Sequence, residues 1–115
     1  MNYTVERADD ADRDLDGIFD FLIESYLTFG EDDETATDRA AERLRKIHTS
    51  MQSLGRAPHQ GTLMPQLLPA LRSVTKDRAI FYFSVDDTKR VVRVLAVFFG
   101  GQDHRRHILK RLLGR

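Results

Sequence analysis

The chain has 115 residues, 41% of them hydrophobic and 31% charged, with formal net charge 0 and no Cys. That is enough for one core and too little for two, so a single domain over 1–115 is expected. No apolar run approaches the ~20 residues of a membrane span. The opening MNYTVERADDADRD lacks a signal peptide's basic start and apolar middle. Without Cys there are no disulfides and no thiolate metal sites, and a cytoplasmic protein that does not engage a membrane is expected.

Zero net charge conceals a strong asymmetry. Residues 1–40 carry 13 acids against Arg7, Arg13 and Arg39, a balance of −10, and residues 41–115 carry +10. Halves of opposite sign point either to two distinct surfaces, one suited to an anionic partner, or to segments that interleave on folding and cancel.

In chain order, Asn2 to Glu6 alternates, with Tyr3 and Val5 on one side, and predicts a short strand. Asp9 or Asp10 is suited to cap a helix, with Asp12, Asp14 and Asp16 near the positive end of its dipole. Leu15, Ile18, Phe19, Leu22 and Tyr26 mark its apolar face, and the pattern stops at Phe29-Gly30. An acidic link, Glu31 to Glu34, opens a second helix whose apolar face is Ala36, Ala40, Leu44, Ile47, Met51 and Leu54, with Gly55 just past its end. Ala36, Ala40 and Ala41 permit close approach of a neighbour, so the two helices form an antiparallel hairpin.

Pro58-His59-Gln60-Gly61, Pro65 and Pro69 predict an irregular connection able to wrap a sheet edge. Three strand-forming runs follow: Leu71 to Val74, Ala79 to Val85, and Val91 to Phe99. The intervening turns are Thr75-Lys76-Asp77 and Asp86 to Lys89, and short turns require an antiparallel meander. Arg93 is the single charge in the third run, so that strand should be central and covered on both faces. Asp103 can cap a last helix, apolar at Ile108, Leu109, Leu112 and Leu113 and otherwise basic. The order βααβββα predicts an α+β layer fold, its helix hairpin on one face of an antiparallel sheet.

Candidate chemistry is sparse. His104 and His107 stand one helical turn apart near Asp103, but they lack the further ligands of a structural metal site, so no metal and no cofactor are expected. His59 can act as an acid or base, or be simply a surface side chain. Gly-rich phosphate loops, nucleophile elbows and paired catalytic carboxylates are missing from the sequence. Arg72, Lys76, Arg78, Arg93, Arg105 and Arg106, with Tyr82 and Phe99, can gather on a sheet face left open by the helices. There they would engage RNA, DNA or an acidic protein, or merely guard strand edges.

Several local patterns resemble the RelE/ParE superfamily of toxins from bacterial type II toxin–antitoxin systems. The A-x-x-D-L-x-x-I pattern of the ParE-like branch reads Ala11-Asp12-Arg13-Asp14-Leu15-Asp16-Gly17-Ile18. P-x-x-G is Pro58-His59-Gln60-Gly61, the Leu-Arg pair is Leu71-Arg72, and I-F-Y is Ile80-Phe81-Tyr82. Where the family often has H-G-x-R-D, this chain has Phe99-Gly100-Gly101-Gln102-Asp103. Gln102 thus replaces an Arg that serves messenger-RNA cleavage in the ribonuclease branch.

The resemblance implies a βααβββα toxin of a plasmid-stabilisation type, not an enzyme, that inhibits DNA gyrase and so replication. The runner-up it implies is a RelE-like ribosome-dependent endoribonuclease. A cognate antitoxin is the implied partner, in a heterotetramer or larger complex, and no sequence-specific contact with nucleic acid is expected. Arg72, Arg78, Arg93, Gln102, His104 and Arg105 form the implied toxic surface. Leu63, Leu67, Leu68, Tyr26 and Leu44 form the implied antitoxin contact.

Overall fold

A computed structural model describes residues 2–100, 108 and 110–112. Strand β1 (Thr4–Arg7) leads into helix α1 (Asp9–Thr28), which is followed by α2 (Asp33–Gln52) and a 3-10 turn (Ser53–Gly55). Then come β2 (Thr62–Leu63), β3 (Arg72–Lys76), β4 (Ala79–Asp86) and β5 (Val91–Phe99). Ile108, Lys110, Arg111 and Leu112 are helical, where the sequence predicts the last helix.

The strands form one sheet in the order β1-β5-β4-β3-β2. β3, β4 and β5 are the predicted antiparallel meander, and β1 joins β5 in parallel, Val5 beside Val92. β5 is therefore paired on both edges, as its apolar run requires. β2 was not foreseen. Its two residues pair Thr62 with Ser73 and Leu63 with Arg72, so the Pro-rich connection closes the β3 edge with a strand.

Two expectations about element ends are corrected. The N-cap of α1 is Ala8, with no side-chain cap, so neither Asp9 nor Asp10 caps it. Ala8 is fixed instead by its own N–H, which donates to the Val94 carbonyl and carries the β1–β5 ladder into the helix. β3 also runs further than expected, through Lys76. The reversal falls on Asp77 and Arg78, with φ 50° and 64°. Two consecutive positive φ values define the tight turn whose twist matches a hairpin. At the second helix, Asp32 does cap, accepting the Thr35 N–H at 2.7 Å.

The core lies between the helix hairpin and one sheet face. Leu15, Ile18 and Leu22 of α1 and Ala40, Ile47 and Met51 of α2 meet Phe81, Phe83, Val92, Val94, Val97 and Phe99. A register shift beside Tyr82 and Phe83 puts Tyr82 opposite Ala96 and Phe83 opposite Val94. Leu95 is thereby the extra residue of a bulge. The bulge lets an unalternating apolar run serve both faces. On the far side, Leu71, Tyr82, Ala96, Phe98 and Ile108 build a second buried cluster.

Candidate functional site

Among the described residues, the predicted basic patch on an open sheet face does not form. The far face carries the second apolar cluster, and Tyr82 and Phe99 are 1% and 5% exposed. The register also divides the cations. Arg72 stands opposite Phe83 and Arg93 opposite Ser84, and consecutive residues of a strand point to opposite faces, so the two arginines lie on different sides. Arg93 is exposed, 3.8 Å from Glu6. Arg78, in the β3–β4 turn, holds its guanidinium 5.6 Å from the Phe99 ring centroid, on the helix side.

Arg72 belongs to a polar cluster at the opposite end of the sheet. It donates to the His59 carbonyl at 2.7 Å. His59 Nε2 meets Asp87 Oδ1 at 2.8 Å, and the Tyr3 hydroxyl donates to the same oxygen at 2.8 Å. Tyr3 and His59 rings pack edge to face. The hydrogen bond from Tyr3, helped by His59 and by the charge of Arg72, holds the Asp87 carboxyl below its ordinary pKa and raises the Tyr3 phenol. Three stretches far apart in sequence are tied here: the chain start, the Pro58 loop and the β4–β5 turn. Sequence reasoning noted His59 but missed Tyr3 and Asp87, whose partnership has no local signal.

Of the residues read as antitoxin contacts, Leu63 (50%) and Leu68 (38%) are exposed. Leu67 packs on the second cluster, whereas Tyr26 and Leu44 pack on the main core. Arg39 stacks on Tyr26, its guanidinium 5.4 Å from the ring centroid. Gln102, His104 and Arg105 lie outside the described residues, as do Asp103, Arg106, His107, Leu109 and Leu113. Among the described residues no group of three or more His, Cys, Asp or Glu is placed to hold a metal. No described helix is long and apolar enough to cross a membrane.

The acidic excess of the first 40 residues is concentrated on α1. α1 bears seven acids and one base. α2 is balanced, with Asp33, Glu34, Asp38 and Glu42 against Arg39, Arg43, Arg45 and Lys46. Among the described residues, folding joins the two halves only in part, where Asp10 and Asp14 meet Arg111 and Glu6 meets Arg93.

No family model and no curated protein matches the chain. Solved structures do. A chromosomal ParDE toxin–antitoxin system from P. aeruginosa superposes with TM-score 0.62 at 19% identity, over 84% of this chain and 95% of that one. That superposition, over most of both chains, decides the architecture. The fold is that of the RelE/ParE toxins. E. coli toxin RelE, as a mutant in the free state, matches with TM-score 0.60 at 11% identity, over 96% and 97% of the two chains. The toxin–antitoxin complex RelBE2 from Mycobacterium tuberculosis gives 0.53 at 16% identity, over 87% and 100%.

The residues that carry the RelE/ParE resemblance have structural work. Ala11, Leu15 and Ile18 are 0%, 4% and 3% exposed, and Phe81 and Tyr82 are buried on opposite faces of β4. Asp14, the polar member of the first pattern, accepts the Val97 N–H at 2.9 Å and pairs with Arg111. Gly61 has φ +83°, and a Cβ there would lie 2.3 Å from the Ser73 carbonyl oxygen. Leu71 is buried, and Arg72 anchors the loop that holds Gly61. The patterns are thus a signature of the fold.

Proposed function

We propose that this chain is the toxin of a type II toxin–antitoxin pair, on the ParE-like side of the superfamily, and that its target is DNA gyrase. The observation that carries the reading is the superposition on the ParDE system, which takes in nearly all of that chain. The pattern at Ala11, Asp14, Leu15 and Ile18 supports the same branch, as does Gln102 in the place of the ribonuclease arginine. In this reading the protein acts by binding and not by catalysis. Antitoxin contact falls on the exposed Leu63 and Leu68 beside the short β2 strand, where a bound segment would bury apolar surface. Arg72, Arg78, Arg93, Gln102, His104 and Arg105 remain the proposed toxic residues, with Arg72, Arg78 and Arg93 now separate groups and not one patch.

A RelE-like ribonuclease is the second reading, favoured by the equally complete superposition on RelE and by the His59–Asp87 pair beside Arg72. Induction of the chain in a bacterial host separates the readings. A replication block with filamentous growth, relieved by co-expressing a small neighbouring gene, is the expected result. Immediate arrest of translation with shortened transcripts would transfer the assignment to the ribonuclease. Unimpaired growth would remove both.

A further inference from the structure

The C-terminal end of α2 carries a cavity that neither reading uses. Asn2, His48, Thr49, Gln52, Ser53 and Arg56 line about 410 Å³ there. His48, Gln52 and Arg56 follow at four-residue spacing, so helical backbone stacks them on one face. The helical course does persist that far, because Arg56 keeps φ −83° and ψ −24° beyond the 3-10 turn. Asn2 is brought alongside by the chain start, where the Tyr3 N–H donates to the Gly55 carbonyl at 2.8 Å. Glycine permits that approach, since a Cβ on Gly55 would lie 2.3 Å from the Tyr3 carbonyl oxygen.

The lining is polar without being paired. Among the described residues no carboxylate lines the cavity, and the side chains of Asn2, His48, Gln52 and Arg56 make no hydrogen bond or ion pair. By contrast, Arg7, Arg13, Arg39, Arg93 and Arg111 each meet a carboxylate. Thr49 and Ser53 donate their hydroxyl protons to the Arg45 and Ser50 carbonyls, so toward the cavity they can only accept. The helix dipole favours a cation at this end, but it explains neither the unpaired carboxamides nor the cavity. We infer that the cavity binds a small phosphate monoester, its phosphate on the Arg56 guanidinium and its polar body along His48, Gln52 and Asn2. A guanidinium fork matches two phosphate oxygens at once. The carboxamides and the two hydroxyl oxygens offer donors and acceptors to a sugar or base. A continuous nucleic-acid strand fits less well, because no Phe, Tyr or Trp lines the cavity for successive bases to stack on. The inference rests on the cavity and not on the toxin reading.

The test titrates the isotope-labelled full chain with adenosine monophosphate and with ribose phosphate, read by backbone and side-chain chemical shifts. Saturable shifts should centre on Asn2, His48, Gln52 and Arg56 with both esters, and adenosine alone should give none. Arg56→Gln should weaken both esters about tenfold, the scale of one charge-assisted contact. Arg45, whose side chain is equally unpaired, lines a neighbouring cavity, so Arg45→Gln should leave binding unchanged. Melting curves confirm that both variants fold. Absence of saturable shifts, or equal weakening by the two variants, would overturn the inference. Inorganic phosphate binding as tightly as either ester would also overturn it, by showing an anion site with no place for the body. Oligouridylate that binds more tightly than the esters and is lost in Arg56→Gln would assign the cavity to nucleic acid and equally overturn it.

Discussion

Asp14 and Arg111, 97 positions apart, close the edge of β5 where β1 ends. Arg111 grips both carboxylate oxygens, Nη2 to Oδ1 at 2.8 Å and Nη1 to Oδ2 at 2.9 Å, and donates to the Leu95 carbonyl at 3.2 Å. Asp14 Oδ2 also accepts the Val97 N–H. One ion pair thus satisfies two backbone groups that no strand reaches. The hydrogen bonds that Arg111 donates to Asp14, against the cost of partial burial and with Asp10 3.6 Å away, favour the charged guanidinium beyond its already high pKa.

Truncating Asp14 would leave a half-buried Arg111 and the Val97 N–H without their acceptor. Their side chains are 13% and 20% exposed, so solvent compensates only in part. Asp14→Ala should cost about 2–3 kcal/mol, less than a fully buried pair. Chemical denaturation of the two proteins measures this. A loss below about 0.5 kcal/mol, the level of an exposed pair, would show that the edge is not sealed this way.

Gly61 should be intolerant for a reason of shape. Its positive φ is strained for any side chain, and a Cβ would press on the Ser73 backbone, which cannot rotate away. Gly61→Ala is expected to lose about 2–3 kcal/mol and to loosen β2 from β3. Hydrogen exchange at Met64, whose N–H bonds the Leu71 carbonyl, reads the second effect. Unchanged stability and exchange would mean that the loop adapts freely.

The cluster around Asp87 predicts a pH dependence with a definite sign. Its folded pKa lies below the unfolded value. Its contribution is therefore full above the unfolded carboxylate pKa of about 3.9 and is lost as pH falls from there through the folded value. Melting temperatures of wild type and Asp87→Asn should differ at neutral pH and converge in acid. A gap that stays constant down to the acid limit would place the effect of the variant outside this titration.

Much of the fold is legible because local periodicity and turn chemistry agree with it. The stripe Leu15-Ile18-Leu22 and its α2 counterpart give the hairpin, and polar turns between apolar runs give the meander. What escapes has no local mark. β2 is two residues held by pairing alone, and the cap at Ala8 exists because β5 supplies its partner. The bulge at Leu95 re-aims half of β5 in a way that alternation cannot foresee. The site was less legible than the fold. Counting arginines suggested a patch, whereas strand parity puts Arg72 and Arg93 on opposite faces.

The most direct test of the toxin reading is a supercoiling assay with purified gyrase and the full chain, with and without its antitoxin. The account predicts inhibited supercoiling, restored by antitoxin, and a clear loss of inhibition in Arg78→Ala while antitoxin binding is retained. Full gyrase activity at saturating protein, with cleaved transcripts in a parallel translation reaction, would contradict it.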